Sequence, residues 1–154
     1  MNDLIRTVLA YAVVMAIIIG CAKFYKTQNK VKIDPSDSSM DIGYGNFSLD
    51  TSILGVSDLN AGELVAFYVP GKPESCRVAR VVALEGQHVE VTQGAVKVNG
   101  KPSVKFPAMK AFNVPEVRIP RGCVYLLADK PAETEDSFKV GPVPFSSLKG
   151  RVKQ

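Results

Sequence analysis

Hydrophobic residues follow two different patterns along the chain. Residues 8–22 form an apolar run without a charge, whereas beyond residue 30 apolar positions occur in short runs that mostly alternate with polar ones. The first run lacks the polar face of an amphipathic helix, which favours a membrane-spanning helix over a buried core helix. Alternation with a period of two is typical of strands. The sequence therefore predicts one N-terminal helix followed by a β-rich region.

The N-terminal run is of marginal length for crossing a membrane. About 20 apolar residues span a hydrocarbon core of ~30 Å, and the run reaches that length if Arg6 extends its charge to the interface. Phe24 and Tyr25 follow, where an interfacial aromatic belt is expected. We predict an uncleaved anchor over residues 1–25 and a polar tether over 26–37. A cleaved signal peptide and a lipoprotein signal ending at Cys21 are the alternatives.

The orientation of this anchor stays open on charge alone. Lys23, Lys26, Lys30 and Lys32 follow the apolar run and outnumber Arg6 before it. The positive-inside rule by itself would place the rest of the chain in the cytoplasm.

The region after the tether contains short stretches rich in β-branched and aromatic residues, with turn residues between them. Residues 93–94 and 99–100, Gln-Gly and Asn-Gly, predict tight turns, and residues 70–73 predict a loop. Residues 101–120 contain four prolines and predict an irregular excursion. We expect one mainly β domain over residues 38–154, either a folded-over sheet or a partly closed barrel. The predicted strands are Glu63–Val69, Arg77–Leu84, His88–Thr92, Ala95–Asn99 and Cys123–Ala128.

Composition excludes several classes of function. A chain of 154 residues with a formal charge of +4 suits one globular domain. Its lysines do not form a basic stripe with interleaved aromatics, so no nucleic-acid partner is predicted, and a nearby anionic membrane surface accounts for the excess charge. One histidine and three widely spaced cysteines predict no metal site, and no cofactor is expected. Cys76 and Cys123 form either a disulfide or two small buried side chains.

The order of several motifs is specific. Residues 59–67 match the strand "RGDVVVF" of type I signal peptidases, and residues 80–86 match "RVVGLPGD". Residues 96–100 match "LYVNG" and residues 119–129 match "VPxGxYFVLGDN". Residues 134–137, 141–144 and 148–152 then match "SxDSR", "GxVP" and "IxGRA". Over residues 31–152 the chain therefore resembles type I signal peptidases, and it is also similar to the maturation proteases of conjugative transfer.

The resemblance implies a serine endopeptidase with a Ser-Lys dyad, in which a desolvated, neutral lysine takes the proton of the serine. The position of that lysine is occupied by Ala79. Lys130, where the family has an asparagine after Gly-Asp, is the lysine nearest to the predicted site. His88 lies in the turn after the lysine strand and is interpreted as a surface residue.

The nucleophile has two candidates. Ser39 precedes Met40 as the family serine precedes methionine, and Ser38 fits if the motif is counted from Pro35. A polar turn without catalytic role is the alternative. The resemblance also places an active-site hydroxyl at Thr134.

The resemblance places supporting carboxylates at Asp129 and Asp136. Phe138 replaces the arginine that pairs with the aspartate, and Pro131 replaces the family's other arginine.

Two functions follow from the resemblance. The first is a membrane-anchored endopeptidase, with its domain outside the cytoplasm, that acts on exported or pilus-type preproteins. The second is an inactive relative that binds extended peptides as a chaperone or assembly factor for a pilus, secretion or conjugation system. A periplasmic binding lipoprotein would depend on Cys21 alone.

Overall fold

The computed structural model describes residues 2–33, 40, 45–103, 113–130 and 135–153. The chain divides into two compact units, residues 1–30 and 31–154, which are described separately. Ser38, Ser39 and Thr134 lie outside the described residues, as does Pro131.

The first unit is one long helix, α1, at Asn2–Gln28. At ~1.5 Å per residue it is about 40 Å long, enough to cross a hydrocarbon core of ~30 Å. Its segment Thr7–Phe24 has a mean hydropathy of 2.1 and none of it is buried within the protein. Length and composition therefore fit the predicted membrane span, and they fit a signal sequence equally well.

The second unit contains two antiparallel sheets. The larger sheet has the strand order β1-β2-β11-β3-β4-β9-β10, and the smaller has β7-β6-β5-β8. The strands are β1 Lys30–Ile33, β2 Gly45–Asp50, β3 Leu64–Val69, β4 Lys72–Ala83, β5 His88–Thr92, β6 Ala95–Val98, β7 Lys101–Pro102, β8 Val114–Arg118, β9 Cys123–Leu127, β10 Val143–Pro144 and β11 Leu148–Val152.

The predicted mainly β fold is confirmed, and the turn chemistry explains several of its connections. Gln93 and Asn99 both adopt positive φ, 50° and 51°, and each is followed by a glycine with positive φ. Two consecutive residues of this kind form the tight turn that suits the twist of a hairpin. The predicted hairpin of β5 and β6 and the turn into β7 are therefore both present.

Three apolar clusters hold the sheets together. One covers the first face of the larger sheet and includes Val65, Phe67, Ala79 and Leu126. The second covers its other face, with Ala66, Val78 and Met40. The third packs the ends of β4 and β9 against the smaller sheet. The strands β3, β4 and β9 are apolar on both faces because they are covered on both faces.

The structure differs from the sequence predictions at several element boundaries. Residues 30–33, assigned to the tether, form β1, because Val31 and Ile33 are buried in alternation with exposed lysines. β4 begins at Lys72, inside the predicted loop, and leaves only Pro70 and Gly71 as the turn. The excursion 101–120 contains β7 and β8. One short helix, α2 at Ser137–Val140, was not predicted.

Two alternatives left open by the sequence are also resolved. The described strands form two separate sheets that do not close into a barrel, so the folded-over description is the appropriate one. Cys76 and Cys123 are free, half-buried thiols. They pack against different apolar clusters, which fits the buried apolar interpretation rather than a disulfide.

Candidate active site

Ala79 lies at the centre of the larger sheet. Its strand β4 is hydrogen-bonded to β3 on one side and to β9 on the other, and Ala79 pairs with Val65. Only 1% of Ala79 is exposed, and it belongs to the apolar cluster that contains Phe67 and Leu126. The position where the resemblance requires a lysine is therefore dry and apolar. A lysine at this position would be desolvated, which favours its neutral form, but the alanine that occupies it has no titratable group.

Arg77 lies two residues earlier on β4 and shares the face of Ala79. Its Nη1 donates to the carbonyl of Cys76 at 3.5 Å, and its charge acts on the Glu135 carboxylate. Glu135 forms an ion pair with Lys72, and this hydrogen bond is the main cause that lowers the pKa of Glu135. Because a guanidinium stays protonated in proteins, Arg77 cannot accept the proton of a serine.

Asp136 is fully buried at the start of α2. Its Oδ1 accepts from the amide of Phe138 at 2.9 Å, which caps the helix, and its Oδ2 accepts from the amide of Ala128 at 2.9 Å. The neighbouring Ser137 is also buried, and its Oγ accepts from the amide of Leu126 at 2.9 Å.

These two side chains replace a missing strand. β10 pairs with only the first part of β9, at Cys123 and Val124. Beyond that point the amides of Leu126 and Ala128 would lack partners on this edge, and a buried amide without a partner is costly. Asp136 and Ser137 supply both acceptors, so their side chains continue the hydrogen bonding along this edge of β9 beyond the end of β10.

The electrostatic state of Asp136 follows from its surroundings. Burial raises the pKa of Asp136 to about 6, against the lowering effect of its two backbone hydrogen bonds and of Lys139. Phe138 stands where the family has an arginine, so it contributes no positive charge. Burial also raises the pKa of Tyr125 to about 12, with the charge of Asp136 as a second cause.

Arg80 and Asp129 form the best-defined ion pair of the region. Arg80 Nε and Nη2 bind the two Asp129 oxygens at 3.1 Å each, and Arg80 Nη1 donates to the carbonyl of Gly62 at 3.2 Å. Two parallel bonds of this kind fix the geometry of both partners. Asp129 was identified from the sequence, but Arg80 was missed. An arginine within an otherwise apolar strand is the signal that could have pointed to a buried partner.

The comparisons with known proteins concern the family and the fold of the chain. The family model described as "Signal peptidase, peptidase S26" matches residues 4–154. The chain belongs to this family. The predicted membership of the signal peptidase family is therefore confirmed.

Two known proteins illustrate the relationship. A protein of Synechocystis sp. named "Probable signal peptidase I-1" is 35% identical over 75 residues, which cover 47% of this chain and 38% of that protein. The chain thus spans less than half of that relative. A crystal structure of a signal peptidase I from Enterococcus faecalis V583 superposes with a TM-score of 0.52 at 19% identity, covering 62% of this chain and 97% of the other. This second similarity supports the fold.

Met40 is the described residue that lies nearest in sequence to the two candidate serines. It directly follows Ser39 in sequence, is 5% exposed and packs in the cluster of Val78 and Ala66. Ala79 belongs to the cluster on the opposite face of the sheet. Because Ser38, Ser39 and Thr134 lie outside the described residues, their catalytic assignments stay predictions.

The remaining candidate bases of the family site lie at the surface. Lys130 is exposed, one residue beyond Asp129. His88 Nδ1 lies 3.0 Å from Glu116 Oε1, and the two side chains are 44% and 65% exposed. His88 is therefore a surface residue of the smaller sheet, as predicted. Within the part of the chain that the structure describes, no group of three histidine, cysteine or acidic side chains could hold a metal ion.

Gly150 and Arg151, in the last motif of the family, close the larger sheet. A Cβ at Gly150 would lie 2.9 Å from the carbonyl oxygen of Asp50 on β2, so only glycine fits. Arg151 donates to Glu63 at 2.9 Å and lies 3.5 Å from the Asp50 carboxylate. This pair of residues therefore holds β2 and β3 on either side of β11.

Proposed function

We propose that this chain binds exported preproteins in extended form at the membrane surface and does not cleave them through a Ser-Lys dyad. One observation carries the proposal: the lysine position is Ala79, buried in an apolar cluster. A positioned general base contributes roughly 10²–10⁴ in rate. Its absence leaves a serine at either candidate position without that contribution.

The surroundings of Ala79 support the same proposal. Arg77, on the same face of β4, stays protonated, and Lys72 is paired with Glu135. A guanidinium keeps its proton in proteins, and the amine of Lys72 is already engaged by the Glu135 carboxylate, so neither residue is suited to replace the missing base. Asp136 and the Arg80–Asp129 pair nevertheless preserve the frame of the site. A frame without its base suits a peptide-binding chaperone or assembly factor for a pilus, secretion or conjugation system.

The proposed location is the cell membrane, with α1 as a single-pass anchor and the β domain outside the cytoplasm. The apolar segment Thr7–Phe24 supports the anchor. Exported substrates that carry an apolar signal segment would meet the domain at that surface. Mass spectrometry of the N-terminus tests the anchor, since a chain beginning at Cys21 or Lys23 would contradict it and an acylated Cys21 would indicate a lipoprotein.

The second candidate is an endopeptidase on the same substrates with a non-standard base. It is favoured by the intact Arg80–Asp129 pair and by Lys130, which directly follows Asp129 at the surface. In this alternative Ser39 or Ser38 is the nucleophile, Thr134 the supporting hydroxyl and Lys130 the base.

One experiment separates the two candidates. The full-length chain in detergent is incubated with a preprotein that carries its signal segment, and cleavage is followed by mass spectrometry while binding is followed by photo-crosslinking. Ser38→Ala and Ser39→Ala are compared with Ser146→Ala, an exposed serine on the turn before β11, as the matched control. We expect crosslinking without cleavage. Cleavage that disappears in Ser39→Ala and in Lys130→Ala, but not in the control, would establish the endopeptidase instead.

A further inference from the structure

A cleft of about 530 Å³ lies outside the site described above. Its walls are the loop between β4 and β5, at Glu85 and Gly86, and the connection from β8 to β9, at residues 118–121. The two walls are tied together by the amide of Gly86, which donates to the carbonyl of Ile119 at 2.9 Å, and by the amide of Ile119, which donates to Gln87 at 2.9 Å. The backbone of the cleft is therefore fixed.

Two arginines line this cleft and differ from other arginines of the domain. Arg80 and Arg151 are bound to carboxylates. Arg118 and Arg121 are exposed, and neither of their side chains forms a hydrogen bond or ion pair with any residue that the structure describes. Two guanidinium groups on one concave surface outnumber its single acidic side chain, Glu85, and give the cleft a net positive charge.

The acidic residue of the cleft is engaged elsewhere. Glu85 Oε2 accepts the amide hydrogen of Gly122 at 2.7 Å, which holds the carboxylate against the backbone of the turn after Arg121. It offsets one positive charge, and the cleft retains one in excess. Glu85 therefore limits the affinity for an anion without removing the site.

We propose that this cleft binds a phosphate group through Arg118 and Arg121. A guanidinium presents donors in a planar fork that matches the oxygens of phosphate, and two such groups can share one anion. The group can be the head group of an acidic phospholipid or a free phosphate. This inference is independent of whether the chain cleaves a peptide.

Nuclear magnetic resonance of the full-length chain in uncharged detergent micelles tests the proposal. The arginine Nε–Hε signals are followed while inorganic phosphate is added at constant ionic strength, and separately while phosphatidylglycerol or phosphatidylcholine is added to the micelles. We expect saturable shifts of Arg118 and Arg121, with Arg80 and Arg151 unchanged as internal controls. Saturation by inorganic phosphate identifies a free phosphate as sufficient, whereas saturation by phosphatidylglycerol alone identifies the lipid head group.

Variants with matched charge complete the test. Arg118→Gln combined with Arg121→Gln should weaken binding at least about tenfold, as expected for lost hydrogen bonds to a charged group. Lys97→Gln combined with Lys101→Gln removes the same charge from the smaller sheet and should change the affinity much less. Glu85→Gln should strengthen binding. Binding to the variants is followed by the backbone amide signals of Gly86, Ile119 and Gly122, which lie in or beside the cleft. Arginine shifts that never saturate or that affect all arginines alike would overturn the proposal, as would amide shifts that persist undiminished in a folded double arginine variant.

Discussion

Arg80 and Ala79 are neighbours on β4, yet they belong to two regions with opposite character. Arg80 points to the side where Asp129 and the carbonyl of Gly62 satisfy its guanidinium. Ala79 points into an apolar cluster, and it occupies the position at which the resemblance expects a lysine. The guanidinium of Arg80 is paired with a carboxylate, whereas the surroundings of Ala79 are apolar. Two consecutive residues of one strand therefore face a polar and an apolar environment on opposite sides of the sheet.

Among the supporting residues, Asp136 should matter most for stability. We expect Asp136→Ala to lower the free energy of unfolding by about 3 kcal/mol, because it leaves the buried amide of Ala128 without an acceptor and removes the cap of α2. Asp136→Asn keeps one acceptor oxygen and should lose about half as much. Chemical denaturation followed by circular dichroism measures both. Equal stabilities of the three proteins would contradict the role assigned to this carboxylate.

The apolar environment of Ala79 is tested by Ala79→Lys. The longer side chain must enter a packed cluster, so we expect a loss of about 2 kcal/mol in the free energy of unfolding. Desolvation should lower the pKa of the new lysine and make it a proton acceptor. We therefore expect cleavage of a preprotein to appear or increase, and to increase more than it falls in any variant of Lys130 or His88.

Mass spectrometry of the products checks this prediction. Ala79→Met is the matched control, since it adds comparable volume without an amine. Cleavage by the methionine variant, or none by a folded lysine variant with Ser39 in place, would show that Ala79 is not the position of the missing base.

The pH dependence of the free energy of unfolding should also reveal Asp136. Burial raises the folded-state pKa of Asp136 from 3.8 to about 6. The contribution of this group is therefore fully present below pH 3.8 and is lost as the pH rises through about 6, by on the order of 2 kcal/mol. Between these pH values the free energy of unfolding of the wild type should fall as the pH rises, whereas that of Asp136→Asn should lack this decrease. A difference between the two proteins that does not vary with pH would contradict it.

A smaller loss of stability is expected when the bidentate guanidinium of Arg80 is replaced. Arg80→Lys keeps the charge but cannot bind both oxygens of Asp129 at once. We expect a loss of about 1 kcal/mol, measured by thermal unfolding. The control is Arg121→Lys, an exposed arginine with no carboxylate partner among the described residues. An equal effect of both substitutions would mean that the bidentate geometry contributes nothing.

The smallest effects should come from the surface bases. His88→Ala removes an ion pair whose members are largely exposed, so the free energy of unfolding should change by less than about 0.5 kcal/mol. Lys130→Ala should be similarly mild for stability. If Lys130→Ala abolished a cleavage activity that His88→Ala leaves intact, the endopeptidase interpretation would replace the proposed one.

Local patterns were sufficient for part of this picture. Alternation and the Gln-Gly and Asn-Gly turns predicted the β5–β6 hairpin, and the apolar run of β3 predicted a central strand. β1 was missed because a stretch of four residues that contains two lysines resembles a polar linker. Its identity as a strand depends on the burial of Val31 and Ile33, which the local sequence does not reveal. A short strand cannot be predicted from its own residues when the surface that buries it belongs to distant parts of the chain.

The site shows the same limit. The replacement at Ala79 was visible in the sequence because it depends on one aligned position. The partnership of Arg80 with Asp129 joins residues 49 positions apart, and the contact of Ser137 with Leu126 joins a hydroxyl to a backbone amide. Neither type of contact leaves a periodic signal. The resemblance placed supporting carboxylates at Asp129 and Asp136 but did not give their partners.

The Asp-Ser dipeptide beside β9 has a consequence for the behaviour of the chain before it is fully folded. Residues 123–128 form an uncharged, apolar segment without proline or glycine, the composition that favours intermolecular stacking of strands. In the folded domain β4 is hydrogen-bonded to one edge of this segment. The other edge is covered by β10 and by the side chains of Asp136 and Ser137. Both edges are therefore closed to a second copy of the chain. A chain that folds after export would be most prone to aggregate in the interval before residues 136–137 dock.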